Sequence, residues 1–225
     1  VNRSRTLPVA VSLTAAAALI LSGCGGGDDK GSGNDKIAGA EGDSGKTSAE
    51  PADKSSEAPR IDRPKMELPS DVRLAFDKAA VSDEGAAALG DAQNFVRAVI
   101  HGIVKQDADD AAYKFYSEFQ SPAWKYAKQQ IQANIKAGVT VTGKSRYTRP
   151  QVKPVEGAKD VVVSFCSNDS SFYSKDVKSG KTLRTKDSLR DYSHWQIGMT
   201  PAKKTEGLWQ AKAIQVKESA AQCRE

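Results

Sequence analysis

The chain has 225 residues, a formal charge of +5 and a hydrophobic fraction of 39%. That composition is too polar for one well-packed unit throughout, so part of the chain is expected to be unfolded or removed. With two histidines, and three cysteines that lack CxxC spacing, it argues against a zinc site, and neither a metal nor another cofactor is expected.

Residues 1–23 read as a secretory signal, with Arg3 and Arg5 as its positive start and Leu7 to Leu21 as a short apolar run. The run is too short and too alanine-rich for a membrane span of about 20 strongly apolar residues. The separated arginines argue against twin-arginine export. The run ends in Leu21-Ser22-Gly23-Cys24, which resembles the lipobox of bacterial lipoproteins: apolar, small, small, cysteine. The resemblance implies a diacylglyceryl thioether on Cys24, cleavage before it and acylation of the new amino terminus. Two or more acyl chains, at ~0.8 kcal/mol per buried methylene, anchor a protein stably. The expected location is the extracytoplasmic face of the cell membrane, held by the lipid on Cys24. The alternative is an ordinary secretory signal with an incidental cysteine.

Residues 24–66 read as a disordered tether rich in Gly, Ser, Asp and Lys. They include GGGDDKGSGNDK and SGKTSAEPADKSSEAPR, hold no aromatic residue, and have Ile37 as almost their only large apolar one. Such a segment buries too little surface to offset the entropy of ordering. Its expected reach is roughly 35 Å. Two motifs within it carry no chemistry. Gly42-Asp43-Ser44-Gly45 resembles a serine-protease nucleophile segment but has no rigidly held histidine. Gly45-Lys46-Thr47 resembles the end of a phosphate loop, but Ala40 stands where its first glycine belongs and no strand precedes it.

Residues 67–225 form the expected globular domain. In GDAQNFVRAVIHGIVKQ, Gly90 to Gln106, Leu89, Ala92, Phe95, Val96, Val99 and Ile103 share one helical face, with Asn94, Arg97, His101 and Lys105 opposite. A short second helix is predicted over Asp109 to Glu118. A third is punctuated by Ser121 as cap, Pro122 in the first turn and Gly138 at the end. Trp124, Ala127, Ile131 and Ile135 recur along it at core spacing. The period then becomes two, and strands are predicted over Val139–Thr148, Val161–Ser167, Asp191–Thr200 and Leu208–Val216. Turn-rich joins fall at Lys175–Lys181 and Pro201–Gly207. Helices followed by strands predict an α+β domain, about three helices on a curved antiparallel sheet of four to six strands. At about 160 residues it is large enough for one core.

This arrangement resembles the nuclear-transport-factor-2-like cone fold. Several segments also resemble actinobacterial surface lipoproteins of uncharacterised function: AYKFYSE (Ala112–Glu118), VTVTGKSRY (Val139–Tyr147), Cys166 with the later SSFYSKDVKSGK, Gly207–Trp209 and Cys223. These are packing and turn motifs, so the resemblance implies a fold and a habitat and names no reaction. Cone-fold relatives include isomerases, dehydratases and cyclases with acid–base groups in an apolar cavity, besides many binding domains, and fold alone does not choose among them.

With Cys24 lipidated, Cys166 and Cys223 form an even pair in an exported domain, which predicts a disulfide worth about 4 kcal/mol; two free buried thiols are the alternative. His101 is expected in solvent on the polar stripe of its helix. On the strand 191–200, Trp195, Ile197 and Met199 share the core face, and Asp191 and Ser193 are in phase with them. Tyr192, His194 and Gln196 share the other face. No residue is assigned a catalytic role. Lys175, Lys178, Lys181, Arg184, Lys186 and Arg190 cluster around the central hairpin. Outside a membrane, their expected counterpart is anionic lipid or wall polymer rather than nucleic acid; a merely solvated basic surface is the alternative. The reading that follows is a membrane-anchored lipoprotein whose non-enzymatic domain binds a ligand or a protein partner at the cell envelope. Its rivals are a cone-fold isomerase- or dehydratase-like enzyme acting on a small apolar substrate through Asp191 with His194 or a tyrosine, and an assembly subunit using the outer sheet face.

Overall fold

The computed structural model describes residues 61–224, which fall within one compact unit, Lys54–Glu225. The signal, Cys24 and the tether up to residue 60 lie outside the described residues. In chain order the elements are β1 (Val72–Phe76), α1 (Asp83–Lys105), α2 (Ala111–Phe115), α3 (Pro122–Ala137), β2 (Val139–Pro154), β3 (Val161–Asp176), β4 (Thr182–Leu183), β5 (Tyr192–Pro201) and β6 (Trp209–Lys217). The strands form one sheet in the order β1-β2-β3-β5-β6, with β4 paired to β3. All pairings are antiparallel except that of β1 with β2. The fold is therefore the α+β class the sequence predicts, three helices on a curved, mostly antiparallel sheet.

The helix ends follow local chemistry. Ser82 accepts a hydrogen bond from the Gly85 N–H, and Asp83 and Glu84 complement the positive end of α1. This start lies seven residues before the predicted one, because Gly85 and Ala88 continue the buried face by one more turn. Ser121 and Pro122 open α3, and Gly138 closes it at φ +67°. Helix α2 is shorter than predicted: Asp110 caps it, and the chain leaves helix after Phe115 so that Glu118 N–H and Ala211 O can bond on the edge of β6.

Strands β2 and β3 are 16 residues each, longer than predicted. Polar residues such as Lys153 and Ser174 occupy their exposed ends, where the alternation that marks a strand fades. Register shifts at Lys144/Arg146, Thr148/Gln151 and Gly198/Met199 bend the sheet. Gly143, at φ +102°, sits where a Cβ would collide with the Ser171 carbonyl, so this bend requires glycine.

The bent sheet wraps the apolar face of α1. Phe95, Val96 and Val99 meet Val163, Phe165, Ile197 and Met199, while Ala123, Ala127 and Ile131 of α3 close one side. Each fully buried large side chain contributes about 1.5–3 kcal/mol. Cys166, Tyr192, Ala220 and Cys223 make a separate small cluster on the other face of the sheet.

Residues 61–66, assigned by composition to the tether, are packed on this domain. Ile61 and Met66 lie against the core, and the Arg63 guanidinium pairs with Asp91. Asp91 is 1% exposed and also accepts from the Trp209 N–H at 2.9 Å. A buried carboxylate needs such partners, and this one fastens the incoming segment to α1 and β6.

Candidate functional site

Where the sheet opens away from α1 there is a cavity of about 160 Å³. Val96, Val99, Ile100 and Ile103 of α1 form its apolar wall, with Tyr126 and Gln130 from α3, Tyr147 from β2, Phe172 from β3 and Trp195 from β5. One carboxyl group enters it, that of Asp169 on β3. Alternation places Asp169 there. Phe165 and Ser167 face the helices, and Asp169 is next in phase, just past the point where the core ends.

The carboxylate is held by two serines that are themselves fully buried. Ser145 donates to its Oδ1, and Ser167 donates to its Oδ2 at 3.2 Å. Trp195 Nε1–H in turn donates to Ser167 Oγ at 3.1 Å, which leaves that hydroxyl's proton for Asp169. Burial pushes the Asp169 pKa above its ordinary 3.8, the two serine hydrogen bonds pull it back, and the negative charge of Asp191 pushes it up again. Burial also raises Tyr126 to about 12, and raises Tyr147. At neutral pH both phenols remain donors.

Asp191 lies near enough for its charge to act on Asp169 but does not line the cavity, and its carboxylate is engaged elsewhere. It accepts the Ser188 N–H at 2.7 Å and completes a capping box around Leu189–Asp191. His194 pairs in register with Cys166 on the opposite face of the sheet, so Asp191 and His194 do not meet in the cavity. The expected location of His101 is corrected. It is buried, with Nδ1 3.0 Å from Asp110 Oδ2 at an angle that leaves it without a formed hydrogen bond, because α2 and its capping residue fold over what reads as a polar stripe. Among the described residues no group of His, Cys, Asp and Glu is arranged to hold a metal ion.

Cys166 and Cys223 are paired, with Cα atoms 5.2 Å apart. Arg224 lies over the Tyr192 ring at 5.8 Å, and the Ala220 N–H bonds to the Tyr192 carbonyl, so the tail is seated against β5 as well.

The six basic residues are partly separated. Lys178 and Lys181 are exposed at the β3–β4 turn, beside Val177 and Leu183, which are 47% and 43% exposed. Arg184 stacks on Tyr173 at 5.0 Å, and Lys186 follows in the same exposed loop. Lys175 is engaged by Asp71 at 3.0 Å. Arg190 lies next to Tyr192, which pairs with Asn168, roughly midway along β3 and away from the tip. Among the described residues no helix is long and apolar enough to cross a membrane.

Asp169 has no sequence signature: one acid within NDSSFYS reads as loop polarity, and only the continuation of β3 past Ser167 puts it inside. Larger clefts exist, of about 430 Å³ by Phe115, Phe119 and Lys203 and about 500 Å³ by Val81, Val152 and Asp160, similarly open to solvent, but neither is lined by a buried carboxyl held by buried serines.

No family model matches the chain, and no curated protein matches it. Solved structures with a similar arrangement include an NTF2-like superfamily protein from Salmonella enterica serovar Typhimurium, 11% identical, with a TM-score of 0.41 over 60% of this chain and 93% of that one. Another is a Shewanella frigidimarina protein provisionally described as a ketosteroid isomerase, 13% identical, with a TM-score of 0.34 over 60% of this chain and 98% of that one. At these identities the likeness concerns the course of the chain and not its chemistry.

Proposed function

We propose that this is a lipid-anchored extracytoplasmic protein whose domain captures a small ligand in the Asp169 cavity without transforming it. The observation that carries this reading is the set of polar groups lining the cavity. Tyr126 and Tyr147 are held as donors, and both Asp169 oxygens already accept from serines. A proton-transfer enzyme needs a base within hydrogen-bond reach of its substrate, free to take a proton. Each Asp169 oxygen already accepts one serine hydrogen bond, and those bonds lower its basicity. Of the groups the enzymatic alternative named, Asp191 with His194 or a tyrosine, His194 lies on the opposite sheet face and the Asp191 carboxylate is engaged by Ser188, so of these only tyrosines line the cavity. The volume also lies below the ~300–1,000 Å³ typical of drug-sized ligands, which suits a small molecule or one head group.

The attachment to the membrane rests on the lipobox around Cys24. The hairpin tip adds a second contact. Lys178 and Lys181 beside exposed Val177 and Leu183 suit an anionic lipid surface, where each cation contributes about 1 kcal/mol within a Debye length of ~8 Å.

The test is a small-molecule screen by ligand-observed NMR on a soluble chain beginning at Lys54. Hits should compete with one another and be lost in Tyr126→Ala and Phe172→Ala, which remove the cavity wall. Hits that persist in both variants would place binding elsewhere. Turnover of any hit would restore the enzymatic reading.

A further inference from the structure

We infer that the Asp169 cavity selects an organic cation, a methylated or primary ammonium head group; this rests on the cavity being the ligand site. The structure sets a buried carboxyl group there with no basic side chain paired to it. The bond from Trp195 Nε1–H to Ser167 Oγ directs that hydroxyl at Asp169 Oδ2, and Ser145 donates to Oδ1, so both oxygens are set to accept, as a carboxylate does. No lysine, arginine or histidine among the described residues forms an ion pair with Asp169. The charge that acts on it is Asp191, of the same sign. A desolvated carboxylate in this state is costly, and a bound cation removes that cost.

The walls match. Tyr126 and Trp195 are nearly perpendicular, 86° with centroids 6.2 Å apart, and Tyr147 meets Trp195 at 73° and 6.3 Å. Phe172 adds a fourth ring. These edge-to-face contacts build an aromatic wall beside Asp169, and an aromatic face attracts a quaternary or primary ammonium through its ring quadrupole. A neutral ligand would gain the same apolar contact and leave Asp169 uncompensated. An anion would face two negative groups.

The experiment titrates the soluble chain beginning at Lys54 with choline and with its uncharged isostere, 3,3-dimethylbutan-1-ol, following the Trp195 indole resonance. Choline should bind at least about tenfold more tightly, since cation–π attraction and charge pairing together exceed the tenfold step in affinity. In Asp169→Asn that preference should fall to the part the rings supply, while the isostere binds as before. Equal or tighter binding of the isostere to the wild type would overturn the cation inference and leave the ligand cavity standing. Binding of neither would overturn both. Choline binding that survives Asp169→Asn unchanged would place the cation site elsewhere.

Discussion

Replacing both cysteines of the Cys166–Cys223 pair with alanine perturbs the domain at one defined point. The two residues are 57 positions apart, and closing a loop of that size lowers the unfolded-state entropy by an amount worth about 4 kcal/mol at 25 °C. For a domain of this size 1 kcal/mol corresponds to roughly 2–4 °C, so the double variant should melt roughly 8–16 °C lower. The Ala220–Tyr192 hydrogen bond and the Arg224–Tyr192 stack still seat the tail once the bridge is gone, so the folded state is kept and the loss falls on the unfolded-state entropy. The assay is paired thermal and urea unfolding of wild type and double variant, with the wild type also measured in reductant. The reduced wild type and the double variant should agree. A wild type whose two thiols titrate as free after unfolding without reductant would refute the reasoning, and so would a double variant within about 1 kcal/mol of the wild type.

Four further outcomes are expected. Arg63→Met should cost about 1–3 kcal/mol by urea unfolding, less than a fully buried pair because Arg63 is 36% exposed, and Asp91→Asn in the same chain should recover part of it; a neutral Arg63→Met would mean that the entering segment is not fastened there. Because the folded-state pKa of Asp169 is raised, its contribution is fully present below the unfolded value near 3.8 and is lost as pH rises through the folded value; Asp169→Asn should therefore gain on the wild type in melting temperature over that rise, and a pH-independent difference would contradict the burial ascribed to it. Lys178→Glu with Lys181→Glu should abolish sedimentation with anionic vesicles at low salt and leave the melting temperature unchanged; wild type that ignores such vesicles would make the tip a solvated turn. Cys24→Ala should leave an uncleaved precursor or release the protein to the medium, and intact mass without acyl groups on the native mature chain would remove the anchor.

The fold was legible where a residue acts through its immediate neighbours. Ser121, Pro122 and Gly138 delimit α3 through capping chemistry that three residues suffice to specify. The core face of β5 follows from alternation, and Trp195, Ile197 and Met199 pack as that alternation requires. Features that depend on what folds over them were not legible. His101 looks solvent-facing along its own helix and is buried by α2. Strand β1 pairs in parallel with β2 across an intervening three-helix segment, and its five residues VRLAF alternate too briefly to stand out. Arg63 reads as one more charge in a polar stretch until Asp91 is found beneath it. For the site, the sequence placed Trp195 on the core-facing side of its strand, but Asp169 becomes visible only once β3 is known to run to Asp176.

The most direct measurement is a two-dimensional amide spectrum of the soluble domain recorded while choline is added. The three tryptophans give three indole resonances, and Trp195 alone of them bonds through Ser167 to Asp169. A small-ligand cavity at Asp169 requires the Trp195 resonance to shift and saturate while those of Trp124 and Trp209 stay in place. A Trp195 resonance that does not respond to choline, to its neutral isostere or to any screened small molecule would contradict it.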